Sequence, residues 1–338
     1  MSRYTLLFTL FFLSNCGQKQ SINRLSPKTS QDHCVEYAKM ALQHRAVFGK
    51  DGIKIDDDLV NCSLVDWRIL DSANNDDLAY SGVGYLDYDG CTASLIKTSG
   101  NDNRPAYLVT NGHCAINPPD PSKVIYKDQD ALDIEANVSF FYYKKRIQAG
   151  TTLKFATDKV VFYSMLNTDI ALIRLKSTNF QELTAKGVKS YELAARAASG
   201  TPIYNIAVPQ SGVTDINLKI ASCFLGDSVS LEEGDFSFND SFRFTQCSIV
   251  GGSSGSPIFA KESNKIIGLV NTTANDADLY KDDCSLNKPC EVAADGSKKT
   301  SLGINYGQFI DLIAGCFNSE GFYDYKQTDC KITKKYPS

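Results

Sequence analysis

Histidine is scarce in this chain, with three occurrences in 338 residues. The first two, His33 and His44, lie in a polar N-terminal stretch, with no glycine-flanked serine or apolar strand close by. The third, His113, follows the apolar run Tyr107 to Val109. Because imidazole is the side chain that exchanges protons most readily near neutral pH, His113 is the one well-placed candidate for a catalytic base.

Excess positive charge and metal-ligand spacing are also missing. The formal net charge is -4, and the chain has neither a basic stripe nor a phosphate-binding glycine loop, which argues against a nucleic-acid partner. It has no C-x-x-C pair, and no histidine lies at ligand spacing from a cysteine, so a zinc site is not indicated. We expect no catalytic metal and no cofactor.

No apolar run reaches the length of a membrane span. Residues 1–16 carry Arg3 and then an apolar run from Leu6 to Leu13, which is the layout of a secretory signal. Leu13 to Cys16 resembles a bacterial lipobox, apart from Asn15, where a small residue is usual. Either Cys16 is lipidated or it leaves with an ordinary signal peptide. We therefore expect an exported protein, periplasmic or at the cell surface if anchored at Cys16, and otherwise secreted.

The chain has 11 cysteines, and removing Cys16 leaves ten, enough for five disulfides in an oxidising compartment. Both fates of Cys16 leave this even number, so parity does not distinguish them. The expected compartment is outside the cytoplasm in either case.

Residues 17–79 are predicted to form a tether and an N-terminal extension. Residues 17–32 are polar, whereas residues 33–48 have apolar side chains at helical spacing and predict a short helix. Cys34 and Cys62 bracket this piece and are expected to pair. It is either a propeptide or a structural extension.

From about residue 80 the pattern changes to short runs rich in Val, Ile, Phe and Tyr, separated by Gly, Asn, Asp and Pro, which is typical of antiparallel β-barrels. Residues 178–198 predict helical turns that connect two such barrels. The predicted strands are 83–86, 92–96, 106–110, 137–143, 159–163, 169–175, 203–208, 217–224, 242–247, 256–259 and 266–270.

Three short motifs in this region carry candidate catalytic side chains: TNGHC around His113, NTDIAL around Asp169 and GGSSGSP around Ser254. Serine is a weak nucleophile at neutral pH, so acyl transfer needs an imidazole to take its proton and a carboxylate to orient that imidazole. The glycines permit a tight turn, in which the amides of Gly252 and Ser254 can face one oxyanion.

In the order His, Asp, Ser, the three motifs resemble those of the chymotrypsin-like (trypsin-fold) serine peptidases. The serine motif has the Ser-Pro ending that is common in bacterial members. The resemblance runs from about residue 80 to the C-terminus. It implies an all-β fold of two six-stranded antiparallel barrels over residues 80–338, with the active site between them. It also implies a C-terminal helix, expected from about Gly307 to Cys316.

A second serine motif competes for the nucleophile. Gly251, Ser253 and Gly255 spell G-x-S-x-G, the nucleophile elbow of the α/β-hydrolases. That fold places its histidine after the serine, and no histidine follows His113. The elbow would lack a base, so Ser254 is the better candidate.

The resemblance also implies disulfides. Cys91 with Cys114 matches the family's bridge beside the base, and Cys223 with Cys247 matches a pairing of some bacterial members. Cys284 with Cys290, and Cys316 with Cys330, are then the pairs left over. In vertebrate-type members an Asp precedes the nucleophile and pairs with the N-terminus freed by activation cleavage. Ser253 stands here instead, so that switch should be absent.

By the same resemblance, the pocket that reads the residue before the scissile bond has its base near Ser248, Ile249 and Val250. Its far wall falls at Asn271, Thr272 and Thr273, and another edge lies near Asn305. Ser248 is not acidic, so the trypsin-like means of reading Lys or Arg is missing there, and the wall lacks the histidine of glutamate-specific members. An acidic insertion in residues 274–300 either selects basic substrates or is a solvated loop.

These expectations favour a monomeric serine endopeptidase that acts on peptide or protein substrates through His113, Asp169 and Ser254 and an acyl-enzyme. Two alternatives remain open. The first is a catalytically silent binding protein with a protease fold, displayed at a membrane surface. The second is an exported esterase on the same fold.

Overall fold

The computed structural model describes residues 68–210, 216–245, 247, 249, 251–273, 284–301 and 304–336. The predicted signal segment, Cys16, the helix at 33–48 and the Cys34–Cys62 pair lie outside these residues. So do Ser248 and Val250.

The first part of the described chain closes into a barrel of six antiparallel strands. Its order is β2-β3-β4-β9-β8-β7, and pairing of β8 with β9 closes the ring, while β5 and β6 also pair with β8. Aliphatic side chains fill it: Leu108 and Val109 in β4 and Ile170 to Ile173 in β9 are fully buried. The bounds are β2 Val83–Leu86, β3 Cys91–Leu95, β4 Pro105–Thr110, β5 Val124–Ile125, β6 Leu132–Asp133, β7 Asn137–Phe140, β8 Leu153–Ser164 and β9 Ile170–Asn179.

A second six-stranded ring follows, in the order β10-β13-β14-β17-β12-β11, and pairing of β10 with β11 closes it. The short strands β1 (Arg68–Ile69) and β15 pair with β11, and β16 pairs with β15. The two-barrel fold predicted from the sequence is therefore confirmed. The bounds are β10 Pro202–Ala207, β11 Lys219–Glu233, β12 Phe236–Thr245, β13 Pro257–Ala260, β14 Lys265–Thr273, β15 Cys290–Val292, β16 Lys298–Lys299 and β17 Asn305–Phe309.

Helices are few and short in the described residues. They are α1 (Lys144–Gln148), α2 (Phe180–Ala185) and α3 (Ile332–Lys335), with 3₁₀ turns at Asp77–Tyr80 and Asp128–Asp130. Helix α2 lies in the predicted connection between the barrels, and the Asn179 side chain caps it by accepting the Glu182 N–H at 2.9 Å. None of these helices has the length and hydrophobicity that a bilayer span requires.

The helix predicted from Gly307 to Cys316 is wrong. Asn305–Phe309 forms β17, a fully buried strand between β12 and β14, and turns follow it. An ideal Cβ on Gly307 would lie 2.5 Å from the Phe242 ring, so glycine is needed where that ring fills the barrel. The last helix of the described chain is α3, four residues long.

Strand lengths also differ from the predictions. Strands β8 and β11 have 12 and 15 residues and extend well beyond the predicted 159–163 and 217–224. Their extra residues are mostly exposed or half-buried, so they lack the apolar runs used for prediction. Four disulfides form as paired from the sequence: Cys91–Cys114, Cys223–Cys247, Cys284–Cys290 and Cys316–Cys330.

Gly307→Ala should lower the free energy of unfolding by about 1–3 kcal/mol, because the added methyl group overpacks the barrel against Phe242. Urea denaturation measures the change. In a Phe242→Leu background the same substitution should cost less, since the ring that it meets is gone. An equal cost in both backgrounds would contradict this steric account.

Candidate active site

His113 and Asp169 lie side by side at the edge of the first barrel. Nδ1 of His113 is 2.6 Å from Oδ2 of Asp169, and the His113 backbone N–H donates to Oδ1 at 3.0 Å. Asp169 is fully buried just before β9, whereas His113 keeps 27% of its side chain exposed. The carboxylate thus fixes both the backbone and the ring of His113, and leaves Nε2 as the nitrogen without this contact.

This contact sets the direction of the His113 pKa. Burial lowers the pKa, but the Asp169 charge and hydrogen bond raise it, with smaller contributions from the charges of Glu233 and Asp89. The net pKa is raised above the ordinary 6.5. His113 is therefore a stronger base than a free imidazole.

The Cys91–Cys114 disulfide adjoins the ring. One ligand atom each of Cys91, His113 and Cys114 lie within 4.8 Å of one another, a cluster that could in principle hold a metal ion. Both sulfurs are bonded to each other at 2.02 Å and cannot act as thiolate ligands. The cluster therefore braces the turn that carries His113.

The serine loop is held against strand β3 of the first barrel. Thr92 donates its N–H to the Ser254 carbonyl at 2.9 Å and its hydroxyl to the Gly252 carbonyl at 3.0 Å. Gly252 has φ +89°, and a Cβ there would lie 2.5 Å from the Gln210 nitrogen, so only glycine fits. The loop conformation thus depends on contacts from both barrels.

Ser254 Oγ donates to the Asn271 carbonyl at 3.5 Å. Within the described residues, no hydrogen bond joins this hydroxyl to His113. The segments that carry the two side chains nevertheless touch, because a Cβ on Gly255 would lie 2.1 Å from Thr110 Oγ1. The structure brings the serine loop against the strand that leads to His113.

Asn111 connects all three predicted segments, and the sequence analysis did not single it out. Its Oδ1 accepts the Gly255 N–H at 2.5 Å, and its Nδ2 donates to the Asp169 carbonyl at 2.8 Å. It is fully buried. Its position two residues before His113, within TNGHC, was the available signal.

The loop before Asp169 is fastened to the second barrel. Thr168 Oγ1 donates to Gln308 Oε1 at 3.2 Å, and Gln308 Nε2 donates to Ser241 Oγ at 2.7 Å. On the same loop, the Tyr336 hydroxyl donates to the Leu166 carbonyl at 2.6 Å. Contacts from late in the chain therefore fix the loop that carries the predicted orienting carboxylate.

The predicted pocket wall is largely described. Asn271, Thr272 and Thr273 end β14, and Thr273 Oγ1 donates to Asn305 Oδ1 at 2.6 Å. Asn305 Nδ2 in turn donates to the Cys247 carbonyl at 2.8 Å, and Ile249 is buried nearby in sequence. Nδ2 of the buried Asn271 has no hydrogen-bond partner among the described residues. The described part of the wall is thus polar, and one of its donors has no partner there.

Glu233 is an acid of this region that sequence reasoning missed. It ends β11, is 6% exposed, and accepts hydrogen bonds from Thr272 Oγ1 and the Asn287 N–H. Four acids of the predicted insertion lie outside the described residues: Asp276, Asp278, Asp282 and Asp283. Glu233 is 21 residues upstream of Ser254, so motif spacing gave no signal for it.

Comparison with known proteins gives one family. Residues 57–280 match the family model described as lysyl endopeptidase, C-terminal domain. A search of curated proteins finds no match.

Similar solved structures include a Glu endopeptidase in complex with MPD (16% identity, TM-score 0.36, covering 68% of this chain and 85% of that chain). Another is the thermostable serine protease AL20 from an extremophilic microorganism (11% identity, TM-score 0.43, covering 69% of this chain and 92% of that chain). A third is the protease Anisep from Arthrobacter nicotinovorans (16% identity, TM-score 0.41, covering 68% of this chain and 90% of that chain).

Asp169→Asn should lower the pKa of His113, because burial then acts without the carboxylate charge that opposes it. Proton NMR titration can follow His113 alone in a chain that also carries His33→Gln and His44→Gln. We expect a midpoint above 6.5 when Asp169 is present and a lower midpoint in the Asp169→Asn variant. An unchanged midpoint would contradict the assigned cause.

Asn111→Ala should reduce kcat by about tenfold or more, because the buried Gly255 N–H loses its acceptor at a cost of about 1–3 kcal/mol and the serine loop shifts. Steady-state peptide hydrolysis measures this. Asn103→Ala, at an exposed turn, is the matched control. Equal kcat in both variants would show that the Asn111–Gly255 hydrogen bond has no effect on the serine loop.

Proposed function

The chain belongs to the family of the lysyl endopeptidase C-terminal domain and is thus a serine endopeptidase, and from this premise we propose that His113, Asp169 and Ser254 form its catalytic triad. His113 is the general base, Asp169 orients the imidazole and stabilises its protonated form, and Ser254 is the nucleophile. The observation that carries the proposal is the hydrogen-bonded His113–Asp169 pair, tied through Asn111 to the serine loop.

In the acylation step, Ser254 Oγ attacks the peptide carbonyl carbon while Nε2 of His113 takes the hydroxyl proton. Asp169 occupies Nδ1, so Nε2 is the nitrogen available for transfer. The long contact to the Asn271 carbonyl is weak, and rotation about the Ser254 Cα–Cβ bond releases the hydroxyl toward the base.

The tetrahedral intermediate collapses as His113 returns the proton to the leaving amine and the C–N bond breaks. Water then attacks the acyl ester by the same proton route and frees Ser254. The N–H groups of Gly252 and Ser254 stabilise the oxyanion in both steps. The left-handed backbone of Gly252 supports this role, because it permits the sharp turn that exposes an amide.

The disulfides support a location outside the cytoplasm, because they are typical of proteins that fold outside its reducing environment. We further propose export by residues 1–16, with either a lipid anchor at Cys16 or release after cleavage. Residues 17–79 then act as tether and extension, and residues 80–338 as the peptidase domain.

The family description makes lysine the first residue to test before the scissile bond. Ser248, the predicted base of the pocket, carries no charge to pair with lysine. A preference for lysine therefore requires an acid elsewhere around the substrate.

Ser254→Ala should reduce kcat for peptide hydrolysis by on the order of 10⁴-fold or more, because it removes the nucleophile and keeps the loop backbone. A fluorophosphonate probe should label the wild type at Ser254 and leave the Ser254→Ala variant unlabelled. Ser253→Ala, which removes the buried neighbouring hydroxyl, is the matched control.

Labelling at Ser253, or wild-type turnover by the Ser254→Ala variant, would overturn the assignment. A folded wild-type protein with neither labelling nor peptide cleavage would instead favour a silent binding protein.

A further inference from the structure

Glu233 is a buried carboxylate that the proposed triad does not use. It stands where β11 turns through Gly234 and Asp235 into β12. Its Oε1 accepts the Asn287 N–H at 2.7 Å and the Thr272 hydroxyl at 3.1 Å. Both donors bind the same oxygen, so no hydrogen bond to a described residue uses Oε2.

The position of Glu233 is close to the reacting groups. Thr272 follows Asn271, whose carbonyl accepts the Ser254 hydroxyl. The charge of Glu233 helps to raise the pKa of His113, and the charge of His113 acts on Glu233 in turn. Glu233 therefore contacts the predicted pocket wall next to the residue that accepts the Ser254 hydroxyl.

Among the buried acids of the described chain, Asp169 pairs with His113 and three others pair with lysine or arginine, which sets Glu233 apart. Asp77 pairs with Arg68, Glu291 with Arg243, and Asp311 with both Arg196 and Lys331. Within the described residues, no lysine or arginine forms a salt bridge with Glu233. A buried carboxylate without a cation is costly, which is why such groups are paired or functional.

The energetic cost agrees with the direction of the Glu233 pKa. Burial raises the pKa of Glu233, while the Asn287 N–H, the His113 charge and the Thr272 hydroxyl lower it, and the net pKa stays raised. A cation placed at Oε2 would compensate this penalty. Among the described residues, no cation lies where it would stabilise the charged carboxylate.

The surroundings suit a long cationic side chain. The Leu286 backbone packs against Gly234, and the Leu286 side chain is 61% exposed. Lysine and arginine lay their methylene stems along apolar surface while the charged end makes polar contacts. An exposed leucine beside a buried acid offers both parts of that contact.

We propose that Glu233 is a specificity-determining residue, which binds the side chain of a lysine or arginine of the substrate on the acyl side of the scissile bond. This inference rests on the proposed endopeptidase function and adds to it the group that selects basic substrates. It assigns to Glu233 the acid that the predicted pocket base at Ser248 lacks.

The substitution Glu233→Gln separates charge from structure, because a glutamine Oε1 can still accept from Asn287 and Thr272. The Cys284–Cys290 disulfide and the Gly234 N–H to Cys284 carbonyl bond also hold the neighbouring loop. Glu232→Gln is the matched control, since the adjacent Glu232 pairs with Lys298 and is not part of this contact.

The experiment measures kcat/KM for peptide sets that place lysine, arginine or the neutral norleucine at each of the four positions before the scissile bond. We expect the wild type and Glu232→Gln to prefer the cationic peptides at one position at least. Glu233→Gln should lower that ratio by about tenfold or more, since a buried charge pair loses one partner. Fluorophosphonate labelling of each variant verifies a folded active site.

Two results would overturn the inference: a wild type that cleaves peptides with no cationic preference at any position, or a Glu233→Gln ratio equal to that of the wild type. If the wild type cleaves no peptide at all, the proposed function fails instead. The two failures are thus distinguishable.

Discussion

The hydrogen-bonded contact between the buried Asp169 and the half-exposed His113 is the constraint on which the rest of the site depends. A carboxylate buried at zero exposure needs hydrogen-bond donors, and here the His113 ring and backbone N–H supply them. Asn111 then ties the Asp169 backbone to Gly255, so the serine loop takes its position from the same buried group. The candidate site is therefore built around one shared polar network.

The same logic separates two kinds of acid in the second barrel. Glu291 lies against Arg243 and the Tyr306 hydroxyl, which together satisfy a carboxylate buried for structural reasons. Glu233 is buried to a similar degree, yet among the described residues it receives only neutral donors. Charge compensation makes a buried acid inexpensive, so the ligand role proposed for Glu233 contrasts with the structural role of Glu291.

The three short motifs predicted the base, its carboxylate and the serine loop, because each motif is a contiguous pattern whose chemistry constrains neighbouring residues. Strands such as β4 and β9 were predictable for the same reason, since their buried residues are consecutive. Gly307 was misread as helical because its role depends on the Phe242 ring, which lies 65 residues upstream and is invisible to periodicity. Glu233 contacts Thr272 and Asn287, which lie far along the chain, so no spacing rule could have identified it, whereas the place of Asn111 inside TNGHC was a usable signal.

The bond from Tyr336 to the Leu166 carbonyl has a consequence for synthesis. Gln308 and Tyr336 both support the loop before Asp169, and both are made after all three proposed triad residues. A growing polypeptide that has reached Ser254 holds the reactive groups without the late supports of their geometry. Both supports of the loop before Asp169 are therefore in place only after translation has passed residue 336.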